Sequence, residues 1–415
     1  MGDSAAGERR AIVSSGRGTH DEDEGGSLEP TPTASLPPAP PERPRRTWRV
    51  AVMAALPMAL LWGLTLAGRM DRSPAAWLVA AVLVLPWLHA LSWALLGGLL
   101  LVCRRSRWLL ALLCLHLALA LAAGGGSCAV HWLPSRERSL PPRGDLRLLT
   151  WNVGRMGVWA SEEEGRCTLA ATREGVRATI AREEPGVLVL LEITGARLEA
   201  LAADAGLDCV GTDYRGEGRR GVGGLGVCVP SEGRWRISQS RDLALPPDWR
   251  YVFAELSDGE HAFNVLALHV RPYGVTPPEL DAALHDLLRG RRGPLGALLA
   301  ELERAVAGQA DQVAEVRALV AGFHDPTVLA GDFNSPPDSA VHASLRRQLR
   351  DAWEVAGHGA GSTRTVGRWL PLRIDYAYTS EGLDALDARV VDCRCAGGLA
   401  CSDHRALVVD LALAP

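Results

Sequence analysis

The chain has 415 residues, and all 44 of its lysine-or-arginine positions are arginine. The lack of lysine excludes a nucleotide-binding loop of the Walker A type and an enzyme that forms a Schiff base, because both need a lysine amine. The net charge of −4 is unevenly distributed, and residues 134–415 carry −7, which disfavours non-specific binding of nucleic acid because such binding depends on cationic charge.

Residues 1–46 are rich in glycine, serine, proline and charged side chains. They include an acidic run, Asp21–Glu24, and a proline-rich run, Pro37–Pro41. A segment of this composition cannot bury enough apolar surface to offset the entropy lost on folding. We therefore predict a disordered cytoplasmic tail over residues 1–46.

Three apolar stretches follow, and none of them contains a charged residue: Val50–Gly68, Ala75–Cys103 and Trp108–Ala123. A membrane-spanning helix needs about 20 such residues, although the third stretch is shorter. Buried helices of a soluble domain are the alternative, but charge-free stretches have no polar face to present to water. The sequence therefore predicts three transmembrane helices within residues 47–123.

The arginines near these stretches predict how they are oriented. Clusters precede the first stretch and fill the loop between the second and the third, at Arg43, Arg45, Arg46, Arg49, Arg104, Arg105 and Arg107. Positive charge collects on the cytoplasmic side of membrane proteins. We expect a multi-pass protein of the cell membrane with a cytoplasmic N-terminus, and everything after the third helix outside the cytoplasm.

Residues 124–144 have the composition of a linker, and residues 145–415 then alternate between strand and helix patterns. This alternation predicts an α/β or α+β sandwich. The predicted strands are Leu146–Val153, Val187–Leu191, Leu225–Val229, Val252–Leu256, Phe263–Leu268, Val328–Ala330, Ile374–Tyr378 and Ala406–Leu411. The predicted helices are Thr168–Glu183, Ala196–Ala205, Leu280–Leu288 and Leu295–Gly322.

Six cysteines lie in this region, at Cys167, Cys209, Cys228, Cys393, Cys395 and Cys401. They do not form the spaced pairs of a zinc site. An even number is compatible with disulfides in an oxidising compartment. We expect Cys393 or Cys395 to close a loop with Cys401.

Polar residues recur where the predicted strands end, which is where open α/β architectures place their sites. A single Asn or Asp at such a point is commonly a turn cap, and only the whole set of motifs indicates a functional site. Its members are Thr150-Trp-Asn152, Leu190-Leu-Glu192, Ala267-Leu-His269, Ala330-Gly-Asp332-Phe-Asn334, Arg373-Ile-Asp375-Tyr and Ser402-Asp403-His404.

In this order the motifs resemble the endonuclease/exonuclease/phosphatase superfamily, from Arg147 to about Leu413. The resemblance implies a four-layer sandwich, in which two packed β-sheets are flanked by helices, and a catalytic domain over residues 145–415. It also implies a divalent cation, Mg²⁺ or Mn²⁺, bound chiefly by Glu192. Asn152 and Asp403 would complete or orient the metal's ligand shell, since hard cations prefer oxygen ligands.

The resemblance further implies that the enzyme hydrolyses a phosphate ester. Asp332 would activate or orient the attacking water, and Asn334 would hold the phosphate or the water. His404, paired with Asp375, would bind the scissile phosphate, because the carboxylate favours the imidazolium. His269 would contact the phosphate or assist the leaving group.

A further residue, Arg250, matches a phosphate-contacting arginine of some family members. The three-span arrangement looks like the membrane-anchored branch of the superfamily, which is similar to teicoplanin-resistance-type membrane phosphatases. That similarity implies action on a membrane lipid or polyprenyl phosphate. The segment between His269 and Gly331 is long and has extra residues around Pro277–Pro294, and from their length and charge we expect these residues to shape the substrate entrance.

The sequence is compatible with two other functions. An exported nuclease acting on DNA or RNA would need a cationic groove, which Arg215, Arg219 and Arg220 could line. A non-catalytic binding scaffold is the third possibility, but the set of motifs is complete, which argues against a protein that has lost its activity.

Overall fold

The computed structural model describes residues 47–68, 76–103, 106–122, 145–154, 167–215, 222–245, 249–275, 277–291, 293–359, 361–366, 370–395 and 398–414. The predicted tail, residues 1–46, and the predicted linker, residues 124–144, lie entirely outside this set.

The N-terminal region forms three apolar helices, α1 Thr47–Gly68, α2 Ala76–Val102 and α3 Arg107–Ala122. Among the described residues, only the stretch Trp48–Ala67 is both long and apolar enough to cross a membrane, and the apolar helices Leu88–Val102 and Arg107–Ala120 are shorter. The prediction of three transmembrane helices therefore stays a prediction.

The region after the linker contains two mixed β-sheets flanked by helices. Its strands are β1 Leu146–Asn152, β2 Val187–Leu191, β3 Leu207–Arg215, β4 Val222–Pro230, β5 Arg236–Leu245, β6 Trp249–Ser257, β7 Ala262–His269, β8 Thr327–Asp332, β9 Arg350–Asp351, β10 Arg364–Val366, β11 Leu370–Leu372, β12 Asp375–Thr379, β13 Leu383–Val391 and β14 Ala406–Leu413. Its helices are α4 Leu169–Glu183, α5 Gly195–Ala205, α6 Pro277–Leu288, α7 Gly293–Ala321, α8 Ala340–Leu345 and α9 Ala352–Ala356.

Within the described residues each large sheet has six strands, in the orders β13-β14-β1-β2-β4-β3 and β5-β6-β7-β8-β12-β9. Each sheet contains one parallel pair, β1 with β2 and β7 with β8, and its other pairs are antiparallel. Helix α4 connects the first parallel pair, and helices α6 and α7 connect the second, because parallel neighbours need a long crossover. The carboxyl ends of these four strands define the edge where the site lies.

Apolar side chains divide the domain into layers. One cluster lies between the sheets and contains Leu148 and Val189 from the first sheet and Val265 and Ala330 from the second. The alternate residues of the same strands face outward, since successive strand side chains point to opposite faces. They meet α4 and α5 on one side and α7 on the other. The predicted sandwich of two sheets flanked by helices is confirmed.

Several strands were not predicted, namely β3, β5, β9, β10, β11 and β13. Two of them, β5 and β13, are interrupted by register shifts. β3, β5, β9 and β13 lie at the edges of the large sheets, where one side of the strand is unpaired and polar or charged residues are common. Their sequences therefore lack the apolar character that identified the central strands.

The six cysteines of this domain form three disulfides. Cys393 pairs with Cys401, which selects one of the two predicted pairings. Cys395 instead pairs with Cys167, which is distant in sequence. The third disulfide joins Cys209 and Cys228, which are opposite one another on β3 and β4.

Candidate active site

The predicted site residues lie at one edge of the two sheets because of how the parallel strands end. Asn152 and His269 are the last residues of β1 and β7, Asp332 is the last residue of β8, and Glu192 directly follows β2. His269 and Asp332 are also partners in the register of β7 and β8. Two strands that run the other way contribute their beginnings: β12 starts at Asp375, which pairs with Asp332, and β14 starts just after His404.

Asn152 connects Glu192, which follows a strand of the first sheet, with Asp332, which ends a strand of the second sheet. Its Nδ2 donates hydrogen bonds to Glu192 Oε1 at 3.1 Å and to Asp332 Oδ2 at 3.0 Å. Its Oδ1 accepts a hydrogen bond from the backbone N of Gly154 at 3.0 Å, which fixes the orientation of the amide. Asn152 therefore orients the carboxylates of Glu192 and Asp332, and its predicted part in the metal's ligand shell stays a prediction.

The backbone at Glu192 adopts a left-handed conformation, with φ of 55°, which is uncommon for a residue with a side chain. The next residue, Ile193, donates its backbone N–H to Gly224 O at 3.2 Å. A Cβ at Gly224 would lie 2.1 Å from Ile193 O, so a glycine is needed there. Such strain persists only where the surrounding structure imposes it, and here it directs the Glu192 carboxylate toward Asn152.

A similar close approach lies behind Asp332. Gly331 has φ of 150°, and a Cβ at this position would lie 1.9 Å from Leu268 O. Only glycine lets β7 and β8 approach this closely, and the contact sets the spacing between His269 and Asp332. Asn334 also has a positive φ, 48°, and its backbone N donates to Asp332 Oδ1 at 2.8 Å.

Asp332 is buried, with 1% of its surface exposed. Burial and the neighbouring charge of Asp375 raise the pKa of its carboxyl, while His404, His269 and Arg364 act to lower it. Its Oδ2 lies 3.6 Å from His269 Nε2 and 3.7 Å from His404 Nε2. A carboxylate with a raised pKa between two imidazoles is suited to exchanging a proton with water.

His404 is held by Asp375, with 2.8 Å between its Nδ1 and Asp375 Oδ2. Burial alone would lower the pKa of His404, but the charges of Asp375 and Asp332 and the hydrogen bond to Asp375 outweigh it and raise the pKa to about 9. His404 is therefore an imidazolium at neutral pH. Its Nε2–H is a charged donor for an anionic oxygen.

The remaining predicted residues lie around this cluster. The Nε2 of His269 is 4.0 Å from Glu192 Oε1, and the Nδ2 of Asn334 donates to Val270 O at 2.8 Å. Asp403 is the most exposed member, with 46% of its side chain accessible. The side chain of Arg250, in β6, lies outside the described residues, so its predicted contact with phosphate stays a prediction.

One arginine of the site was missed by the sequence analysis. Arg364 Nη2 lies 3.0 Å from Asp403 Oδ2. No apolar strand precedes Arg364, and its position next to Asp403 arises only from the fold. The Gly- and Thr-containing sequence around it, Gly361-Ser-Thr-Arg364-Thr, gave no signal of its own.

The carboxylates of Glu192 and Asp403 fit a divalent cation such as Mg²⁺. That ion binds through one or two carboxylates and keeps several waters, and both side chains are accessible, by 23% for Glu192 and 46% for Asp403. Asp332, Asp375 and His404 also place donor atoms within 4.8 Å of one another. That trio suits a metal less well, because Asp375 and a proton engage the two nitrogens of His404, and a ligand nitrogen must be unprotonated.

Comparison with known structures finds similar proteins at low identity. A functionally unknown protein from Enterococcus faecalis is 17% identical, covering 65% of this chain and 100% of its own, with a TM-score of 0.48. The human Nocturnin catalytic domain is 17% identical, covering 66% and 97%, with a TM-score of 0.47. A mannosyl-6-phosphatase from Bacteroides thetaiotaomicron is 14% identical, covering 65% and 100%, with a TM-score of 0.46.

At these identities and TM-scores, none of the three bears on what this chain acts on. No curated protein matches the chain. The sequence profile of the Endonuclease/Exonuclease/phosphatase family matches residues 149–404, a range that covers more than half of the chain and runs from β1 to His404. The chain therefore belongs to the endonuclease/exonuclease/phosphatase family.

Proposed function

We propose that this protein is a divalent-metal-dependent phosphoesterase that is anchored in a membrane and hydrolyses a phosphate ester of a membrane lipid or polyprenyl phosphate. The observation that carries the reaction class is the hydrogen-bonded cluster of Glu192, Asn152 and Asp332, with His404 and Asp375 beside it. The cluster combines a carboxylate that can bind a cation, Glu192, with a buried carboxylate that can orient and deprotonate water, Asp332. It also contains a charged imidazole that can bind phosphate, His404.

Each residue has a role in the hydrolysis that its surroundings support. Mg²⁺ or Mn²⁺, held by Glu192 and Asp403, would supply charge neutralisation at the phosphoryl oxygens and lower the pKa of bound water. Asp332 orients the attacking water and accepts its proton. The oxygen of that water forms the new bond to phosphorus as the bond to the ester oxygen breaks.

The two histidines act on the phosphate and the leaving group. His404, charged through Asp375, donates Nε2–H to a non-bridging phosphate oxygen, where negative charge increases in the transition state. His269 is 5% exposed and lies beside both Glu192 and Asp332. From there it contacts the phosphate or donates a proton to the departing oxygen.

Membrane anchoring is supported by the N-terminal helices. Leu56 and Leu60 on α1 are 69% and 66% exposed, which is unusual for a helix in water but expected for one surrounded by lipid. The arginine clusters favour a cytoplasmic N-terminus and three spans. This arrangement is similar to that of the teicoplanin-resistance-type membrane phosphatases, and it would concentrate the enzyme next to lipid phosphates.

An extracytoplasmic catalytic domain is supported by its cysteines. The three disulfides use all six cysteines of the domain, and disulfides persist in oxidising compartments and are rare in the cytosol. The disulfides are independent of the arginine distribution, and both support a location of residues 145–415 outside the cytoplasm.

Substrate class is tested with the full chain in detergent or nanodiscs. Phosphate or nucleotide release is followed with Mg²⁺ and with Mn²⁺ on a polyprenyl pyrophosphate, phosphoinositides and plasmid DNA. We expect lipid phosphate hydrolysis that Asp332→Ala and His404→Ala abolish. The matched control is His261→Ala, because His261 is an exposed histidine at the opposite end of β7.

Two results would contradict the proposal. Metal-dependent activity that survives both site substitutions would refute the residue assignment. Cleavage of DNA without turnover of any lipid would contradict a lipid phosphoesterase and support the alternative function, a nuclease.

A further inference from the structure

Arg364 is fixed to the two segments that carry His404 and Asp375. It forms an antiparallel bridge with His404, and the residue before it, Thr363, is fully buried. Thr363 Oγ1 accepts hydrogen bonds from the backbone N of Ile374 at 3.2 Å and of Asp375 at 3.1 Å, and Thr363 O accepts one from Arg405 N at 2.7 Å. The backbone of Arg364 is thus positioned by the site itself.

The guanidinium of Arg364 faces the negative charge of the site. Its Nη2 donates to Asp403 Oδ2 at 3.0 Å, and 34% of the side chain is exposed. Burial acts to lower the pKa of Arg364, but the charges of four carboxylates raise it: Asp403, Asp332, Asp375 and Glu192. The positive charge of Arg364 therefore interacts with the carboxylates predicted to bind the metal and with those predicted to act on water and phosphate.

The chemistry of arginine makes this position suited to a phosphate. A guanidinium has five N–H donors in a planar fork, and the contact with Asp403 uses one of them. The fork matches two oxygens of one phosphate group. Because the side chain is partly exposed, an arriving substrate can reach the remaining donors without first displacing a buried ion pair.

We propose that Arg364 binds the substrate and recognises a terminal phosphate, so that the enzyme prefers a phosphomonoester or a pyrophosphate to a phosphodiester. A terminal phosphate carries about two negative charges at neutral pH and a diester carries one, so its attraction to a fixed cation is about twice as large. A diester also has one fewer non-bridging oxygen for the fork. This inference rests on the proposed function and narrows it.

The test compares full-chain wild type, Arg364→Gln and Arg364→Lys on p-nitrophenyl phosphate and bis(p-nitrophenyl) phosphate, which share a leaving group. We expect the wild type to prefer the monoester. Arg364→Gln should lower kcat/KM for the monoester roughly 10- to 100-fold, mainly through KM, because it removes a charge-assisted hydrogen bond. The diester should lose much less. Arg364→Lys should recover part of the loss, since it restores the charge without the fork.

Binding supplies a readout that does not need turnover. Inorganic phosphate, titrated calorimetrically into each protein with Mg²⁺ present, should bind roughly 10-fold or more weakly to Arg364→Gln. The matched control is Arg350→Gln, because Arg350 forms an exposed ion pair with Asp384 at 2.8 Å and should leave every value unchanged.

The outcomes separate this inference from the proposed function. Equal losses on both substrates would mean that Arg364 only positions Asp403, and unchanged phosphate binding in Arg364→Gln would also overturn the inference. An active wild type with either of these results would leave the proposed function intact. A wild type that hydrolyses no phosphate ester would refute the proposed function, while the phosphate titration would still decide the role of Arg364.

Discussion

Replacing Asp375 with Asn should convert His404 from a charged to a neutral side chain at neutral pH. The pKa of His404 is raised to about 9 chiefly because the charges of Asp375 and Asp332 outweigh its burial. Asp375→Asn removes the nearer charge while preserving the shape of the side chain. Burial then dominates, and we expect the pKa of His404 to fall toward or below its ordinary value.

The raised pKa also has a consequence for stability. A histidine pKa of about 9 in the folded protein, against about 6.5 in the unfolded chain, corresponds to roughly 3 kcal/mol of stabilisation. Because the folded value is the higher one, this contribution is complete below about pH 6.5 and is lost as the pH rises through about 9. Asp375→Asn should remove most of it at low pH and little of it at high pH.

Two measurements check this reasoning on metal-free protein. Histidine NMR titration should place the His404 transition near pH 9 in the wild type and at a lower pH in Asp375→Asn. Urea unfolding at several pH values should show the stability difference shrinking as the pH rises. A wild-type His404 that titrates at its ordinary value, or a difference independent of pH, would refute the reasoning.

Three other substitutions test separate parts of the site. Gly331→Ala should push β7 from β8, because its Cβ would lie 1.9 Å from Leu268 O; we expect a lower melting temperature and little activity, and wild-type values for both would contradict the packing. Glu192→Gln should weaken Mg²⁺ binding at least about 10-fold without unfolding the protein, as measured by calorimetry, and unchanged affinity would place the metal elsewhere. Removing the Cys393–Cys401 disulfide by double substitution with serine should cost about 2–3 kcal/mol in urea unfolding, and no loss would show that the loop is held by other contacts.

The central strands and most of the site could be predicted because the signals are local. The predicted strand Val187–Leu191 coincides with β2, and the predicted β1 and β8 are within a few residues of the observed bounds. Strands β1 and β8 end on a polar residue, Asn152 and Asp332, and β2 is followed at once by Glu192. Parallel strands that are neighbours end at the same edge, which accounts for Asn152 and Glu192 on β1 and β2. That Asp332, in the other sheet, joins them was implied by the family resemblance of the ordered motifs.

The features that escaped prediction depend on contacts between distant parts of the chain. Arg364 is 39 residues from Asp403, and Cys167 is 228 residues from Cys395. No periodicity or spacing records such a contact. The amide of Asn152 is a further example, because its orientation depends on the backbone N–H of Gly154, which only the folded loop brings within reach.

The most direct test of the central claim is phosphate release from a polyprenyl pyrophosphate by the full chain as free Mg²⁺ is raised. Wild type and Asp332→Asn are compared at each concentration. We predict that release by the wild type rises with Mg²⁺ and stops when the ion is chelated, and that Asp332→Asn stays near background at every concentration. Release that persists with a chelator present, or that is undiminished in Asp332→Asn, would contradict a metal-dependent phosphoesterase built on this site.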